Sequence, residues 1–207
     1  MAKGARRPKS ALLAGTQIFC FGEYLMYKGS NTYHINSVEP IEVFYNIRTD
    51  LDKLKYAVHI NKIIQDVTHE NQNCYNILQL LLNTLYTISE TDKNLDLVLS
   101  VFKLRLLCIL GFTPGINKCV NCGQTEDLNY FSLRDNGFKC SICSKQDTSC
   151  ITMSESTKNA IKYTVTAPPK KIYSFEIKDE SLKEFELITK LYFNEKLEKE
   201  YKIEDLF

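Results

Sequence analysis

The spacing of apolar residues changes character twice along this 207-residue chain. Gln17–Tyr27 is dense in aromatic and aliphatic residues, Lys28-Gly29-Ser30-Asn31 reads as a turn, and Thr32–Val38 returns. Pro40 is expected to end this sheet pattern. A single hairpin is not stable alone in water, so it must pack on something. From Asp50 the period becomes helical. Leu51, Leu54, Ala57, Val58, Ile60, Ile64 and Val67 share one broad face, with Asp50 as N-cap. A second helix is predicted over about 73–89, with Ile77, Leu78, Leu81, Leu82, Leu85 and Ile88 inside. A third is predicted over about 93–110, capped by Asp92 and stopped by Gly111 and Pro114. This third helix is apolar nearly all round and should be the central buried one. Ser154 opens a fourth helix, which ends before Pro168-Pro169. Ser181-Leu182-Lys183-Glu184 has the form of a capping box and opens a last helix running to about Lys199.

Composition narrows the class. The chain is 44% hydrophobic and 25% charged, as a globular protein is, and its net charge is +1. No apolar run reaches membrane-spanning length, because the longest, 95–110, carries Asp96, Lys103 and Arg105. The first residues are polar and basic and lack a secretory pattern. Eight cysteines in such a chain suit a reducing cytoplasm better than a disulfide framework. Cys20, Cys74 and Cys108 sit singly in apolar runs and read as core residues.

The other cysteines carry the strongest chemical signal. Cys119-Val120-Asn121-Cys122-Gly123 and Cys140-Ser141-Ile142-Cys143 are two C-x-x-C knuckles at the separation of a structural zinc site. Four thiolates close a tetrahedral shell and leave no place for water, so one such metal folds the protein and does not react. An iron centre of the same ligand type is the alternative. Between the knuckles, Tyr130-Phe131-Ser132-Leu133 and Phe138-Lys139-Cys140 flank Asp135-Asn136-Gly137, and Asn-Gly is a hairpin signal. A small zinc ribbon over about 115–147 follows, inserted between the third and fourth helices. Cys150 lacks a paired knuckle and is not expected to ligate.

Three passages together resemble the bacterial DNA repair and recombination protein RecO family. They are Lys3-Gly4-Ala5-Arg6-Arg7-Pro8-Lys9-Ser10, the helix-to-knuckle stretch from Phe102 to Pro114, and Cys119-x-x-Cys122-Gly123. The resemblance covers nearly the whole chain in element order. It implies an α+β, mostly α fold: a partial OB-fold β piece over residues 1–40, then a helical domain over 41–207 carrying the zinc-ribbon insert. It implies binding of single- and double-stranded DNA, annealing of complementary strands, and work with RecR and the single-stranded DNA-binding protein in loading the recombinase RecA. It further implies a cytoplasmic, nucleoid-associated protein without catalysis. Against the family pattern the chain is N-terminally shortened, and a closed barrel of this type needs five strands.

The basic cluster Lys3, Arg6, Arg7 and Lys9 contains no acid and suits phosphates, whose neutralisation releases counterions without reading sequence. Phe19, Phe21, Tyr24, Tyr27 and Tyr33 adjoin it. Exposed ones could stack on unpaired bases, although more of them are expected in the core. By resemblance, the helical domain receives the acidic, aromatic-ended tail of the single-stranded DNA-binding protein in an apolar pocket rimmed by cations. Lys103, Arg105, Lys170 and Lys171 are the candidates. His34, His59 and His69 form no catalytic motif, and the glycines make no phosphate loop. The competing function is a zinc-stiffened protein-interaction platform that meets DNA only through partners.

Overall fold

A computed structural model describes residues 1–30 and 32–203. Asn31 of the predicted turn and residues 204–207 of the predicted helical domain lie outside the described residues. The chain divides into two compact units, Met1–Leu54 and Lys55–Phe207. It is mixed α and β, with helices dominating the second unit.

The first unit is built on a two-stranded antiparallel hairpin, β1 (Cys20–Lys28) and β2 (Tyr33–Val43). Pro40 does not end the sheet. It lies opposite Gly22, next to a register shift between Phe21 and Gly22. A proline is tolerated at such a bulge, where its missing N–H is not called on. A Cβ on Gly22 would stand 2.4 Å from the Glu39 carbonyl oxygen, so the close approach needs glycine. Residues 2–18, partly expected as strand, form a chain of turns on the hairpin. The Tyr24 hydroxyl donates to the Gly15 carbonyl at 2.7 Å, and Gly15 lies so near Val38 that a Cβ would collide with it. Met1 borders the start of β2, its carbonyl accepting from Ile35 N–H at 2.9 Å. These turns supply the packing that a lone hairpin lacks, but to one face only. A short helix, α1 (Tyr45–Thr49), follows and buries Ile47.

Helix α2 (Leu51–Val67) crosses the division. Asp50 caps it as expected, its Oδ1 accepting from Asp52 N–H at 2.9 Å and Lys53 N–H at 3.0 Å. Its buried stripe is Ala57, Ile60 and Ile63 with His59, while Leu51 is exposed.

In the second unit, α3 (Tyr75–Glu90) buries Ile77, Leu80, Leu85 and Ile88. The predicted face is rotated: Leu78 is exposed, and Thr84 and Thr87 are inside because their hydroxyls donate back to the carbonyls of Leu80 and Asn83. Helix α4 (Leu95–Ile109) is the central element. It packs against α3, α6 (Glu155–Thr166) and α7 (Asp179–Leu197), and it buries ten residues. Asn94, not Asp92, is its N-cap, accepting from Asp96 and Leu97 N–H. A cap reaches the second and third helical N–H groups, and Asp92 is two residues too far out. Gly111 ends the helix in the left-handed region at φ 97°.

Ser154 caps α6 through Thr157 N–H at 3.3 Å. The predicted capping box at Ser181 does not open α7, which begins at Asp179. Its two polar residues serve α6 instead. Glu184 accepts from Ser154 N–H at 2.9 Å and from the Thr157 hydroxyl at 2.7 Å, and the Ser181 hydroxyl meets that of Ser154 at 3.1 Å. Burial opposes the charge on Glu184, but these donors outweigh it and hold its carboxyl below the usual value.

Between α4 and α6 sits the ribbon: β3 (Tyr130–Ser132), β4 (Gly137–Lys139), the one-turn helix α5 (Ser141–Ser144) and β5 (Cys150–Thr152), in sheet order β4-β3-β5. Strand β5 carries the ribbon beyond its predicted end. Phe131 joins it to α7, edge-on to Phe138 at 6.2 Å and to Tyr192 at 5.2 Å.

Candidate metal centre and basic surface

Each knuckle is shaped by its own backbone. In the first, Cys119 N–H donates to Gln124 at 2.7 Å and Gly123 N–H to Cys119 at 2.9 Å, with Gly123 left-handed at φ 79°. In the second, Cys140 leaves β4 and caps α5, which carries Cys143, and Ser144 N–H closes onto the Cys140 carbonyl at 3.0 Å. Val120 N–H donates to Phe138 at 2.9 Å and binds the knuckles to one another. Asn136 makes the turn in the left-handed region at φ 57°. The glycine after it answers a different need, because a Cβ on Gly137 would stand 2.4 Å from the Gly115 carbonyl oxygen.

The result is one cluster. The Sγ atoms of Cys119, Cys122, Cys140 and Cys143 all lie within 4.8 Å of one another, and Cys122 and Cys140 are 3.8 Å apart. Thiolates about 2.3 Å from a tetrahedral metal have their sulfurs about 3.8 Å apart. The donor set therefore fits a metal ion held by four cysteines. Three of them are buried and Cys122 is exposed. Burial resists charge on Cys119, but backbone N–H groups of Cys122, Cys140 and Asn121 turn toward its sulfur and lower its pKa. Thiolate is the ligating form. Asn121 Nδ2 also donates to Cys143 Sγ at 3.3 Å. Cys150 stays outside the cluster, as expected. Its thiol faces the Asp147 carboxylate at 3.5 Å, and burial together with that charge pushes it up to about 11.

Sequence reasoning missed the polar core beneath this cluster. Lys139 and Asp147 are both buried and pair at 2.7 Å. Asp147 also accepts from the Ser132 hydroxyl at 2.5 Å and from the Ser149 hydroxyl and N–H at 2.7 and 3.0 Å. Burial works against its charge, but these donors hold its carboxyl far below the usual carboxylate range. Asp127 accepts from Ser141 N–H and hydroxyl at the second knuckle. No fixed spacing marks these residues, since β pairing and the turn into α5 bring them together.

The cations are divided. Lys3, Arg6, Arg7 and Lys9 are all exposed on the hydrogen-bonded turns, where Arg7 N–H donates to Gly4 and Ser10 N–H to Arg7. Of the neighbouring aromatics only Phe19 is buried. Phe21 and Tyr24 are half-buried, and Tyr27 and Tyr33 are exposed. The expectation of a mostly internal set is corrected, because the turns cover one face of the hairpin. Lys103 and Arg105 do not share a rim. Lys103 is buried facing α7, with its ammonium 5.7 Å from the Phe193 ring. Arg105 donates to the carbonyls of Thr164 and Val165 at 3.2 and 2.7 Å, and it lines a separate cleft with Leu80, Ile109, Pro169 and Ile172. Lys170 and Lys171 are exposed on a single 3-10 turn, Pro169–Lys171, that borders this cleft. Among the described residues no helix is long and apolar enough to cross a membrane.

Comparison with known proteins adds to this geometry. The family model described as Recombination protein O C terminal matches residues 48–203, and Recombination protein O N terminal matches residues 1–44. The DNA repair protein RecO of Acetivibrio thermocellus is 43% identical over 202 residues, covering 97% of this chain and 80% of that protein. The protein of the same name from Alkaliphilus metalliredigens is 34% identical, covering 86% of this chain and 72% of its own length. That of Bacillus subtilis is 29% identical, covering 94% and 76%.

Proposed function

The chain belongs to the RecO family of DNA repair proteins, and on that premise we propose that it is a recombination mediator rather than an enzyme. It binds single- and double-stranded DNA, anneals complementary strands and, with RecR, helps load RecA. The observation that carries this reading is the exposed cluster Lys3, Arg6, Arg7 and Lys9, fixed by turns beside a hairpin with two exposed tyrosines. Cations held near one another neutralise successive phosphates without reading bases. The acidic tail of the single-stranded DNA-binding protein docks on the cleft of Arg105, Lys170 and Lys171, where Leu80, Ile109 and Ile172 receive its aromatic end. The metal is zinc, which suits four thiolates and has no redox role to play, and its work is to fold the ribbon. The protein acts in the cytoplasm, at the nucleoid.

Fluorescence anisotropy with labelled oligonucleotides at several salt concentrations tests the DNA reading. Replacing Arg6 and Arg7 with alanine weakens binding equally for unrelated sequences and flattens the salt slope by about one per lost contact. An unchanged slope and midpoint would leave the protein-interaction platform as the better reading. Elemental analysis tests the metal: one zinc per chain is expected, and iron in its place would refute the assignment.

A further inference from the structure

Away from the ribbon and the basic turns, α4 and α7 enclose a cavity of about 370 Å³. Lys103 lies in its wall, only 6% exposed on the most buried helix of the protein. Among the described residues its ammonium has no hydrogen-bond or ion-pair partner; it lies 5.7 Å from the Phe193 ring, and Glu186 and Asp96 act on it at longer range. A buried charge without a counter-ion is strongly disfavoured. Burial, and Lys190 next to it, pull the Lys103 pKa down to about 8, which still leaves it charged at neutral pH.

Three more cations, Lys183, Lys190 and Lys202, line the same cavity. Two carboxylates, Asp96 and Glu186, are also present, and neither lies within ion-pair distance of Lys103. Asp96 is engaged by the Tyr56 hydroxyl. Burial, and then Asp96, raise the Glu186 carboxyl, while Lys103 and Lys183 act to lower it. Lys103, Lys183 and Lys190 thus line a hollow that holds two carboxylates, while Lys202 pairs with Glu200 at 3.2 Å. A lysine buried merely to fill space would not draw two others to one opening.

We propose that this cavity is a binding site for a phosphate-bearing anion, with the Lys103 ammonium at its floor and Lys183 and Lys190 at its rim. The surplus of positive charge suits an anion, and compact ammonium groups suit phosphate as point charges. The volume falls at the small end of ligand pockets, which admits phosphate, pyrophosphate or a mononucleotide. The same chemistry is carried by the nucleic-acid backbone. The site does not depend on the basic turns of the first unit.

Isothermal titration of the full chain with pyrophosphate, at ionic strength matched with sodium chloride, tests this. Saturable heat is expected, lost in Lys103→Met and weakened at least threefold in Lys183→Gln. Removing a buried charge can stabilise the fold, so melting temperature alone is not the readout. Lys183→Gln, at the rim, keeps the test decisive if Lys103→Met fails to fold. Competition separates the sources. An oligonucleotide that displaces pyrophosphate, and itself binds less tightly to both variants, identifies the backbone. Binding of pyrophosphate and mononucleotide but not oligonucleotide identifies a small molecule. Absence of saturable heat, or heat unchanged in both variants, overturns the proposal. So does full displacement of pyrophosphate by an acidic peptide at comparable concentration, which would make the groove a peptide-docking surface.

Discussion

The hairpin of the first unit and the ribbon of the second solve the problem of a small sheet in opposite ways. Strands β1 and β2 are nine and eleven residues long, yet neither has a fully buried residue. Strands β3 and β4 have three residues each, and five of the six positions are buried. Strand length is therefore not what secures these sheets. The ribbon is cross-linked from several sides: four thiols at one end, the Lys139–Asp147 pair beneath, and Phe131 against α7. The hairpin has only the turns that lie over Val38 and Tyr24.

That contrast breaks most sharply on metal removal. The proposed zinc would contribute on the order of 10 kcal/mol to folding. Stripping the protein with a strong chelator should therefore expose amides 115–152 to rapid hydrogen exchange while those of β1 and β2 keep their rates. Equal loss in both units would mean that they are not independent. Next in size is Asp147→Asn. It removes one of the two carboxylate partners of the buried Lys139, leaving Asp135, and should destabilise by about 2–3 kcal/mol in denaturant melts. The double change Lys139→Met with Asp147→Leu should recover much of that. If Asp147→Asn is silent, the pair adds nothing beyond the metal. In the hairpin, Gly22→Ala forces a Cβ onto the Glu39 carbonyl and should destabilise by about 1–3 kcal/mol. The disturbance should be confined to hairpin resonances. Smallest of all is Leu25→Ser. Leu25 is 61% exposed, so the change should stay within about 0.5 kcal/mol. A larger loss would show that something covers this face in solution.

What the chain disclosed in advance was what repeats at fixed spacing. The two C-x-x-C pairs named all four members of the cluster, and the nearly all-round apolar character of α4 announced its central place. Asp50 and Ser154 were recognisable because a cap acts on residues two and three positions ahead. Pro40 misled because its own strand carries an extra residue, Ile41, where the register shifts opposite Phe21 and Gly22, and that shift exists only once the strands have paired. Leu78 misled because Thr84 and Thr87 can satisfy their own hydroxyls along the helix and so compete for the inside. Lys103 and Arg105 looked alike two positions apart on one helix, but a turn of 3.6 residues sends them to different clefts. Lys139 and Asp147 had no local signature, since their partnership exists only once the ribbon has folded.

The sharing of a capping box between α6 and α7 has a kinetic consequence. Two of the groups that close the start of α6 lie 30 and 27 residues downstream of Ser154, on Glu184 and Ser181. Ser154 caps α6 locally, but the added contacts of Glu184 and Ser181 form on a nascent chain only after α7 has emerged and docked, and detaching α7 removes them from the first turn of α6. The two helices should open and close as a single cooperative foldon, so that the amides of Ser154 and Thr157 exchange in step with those at the centre of α7.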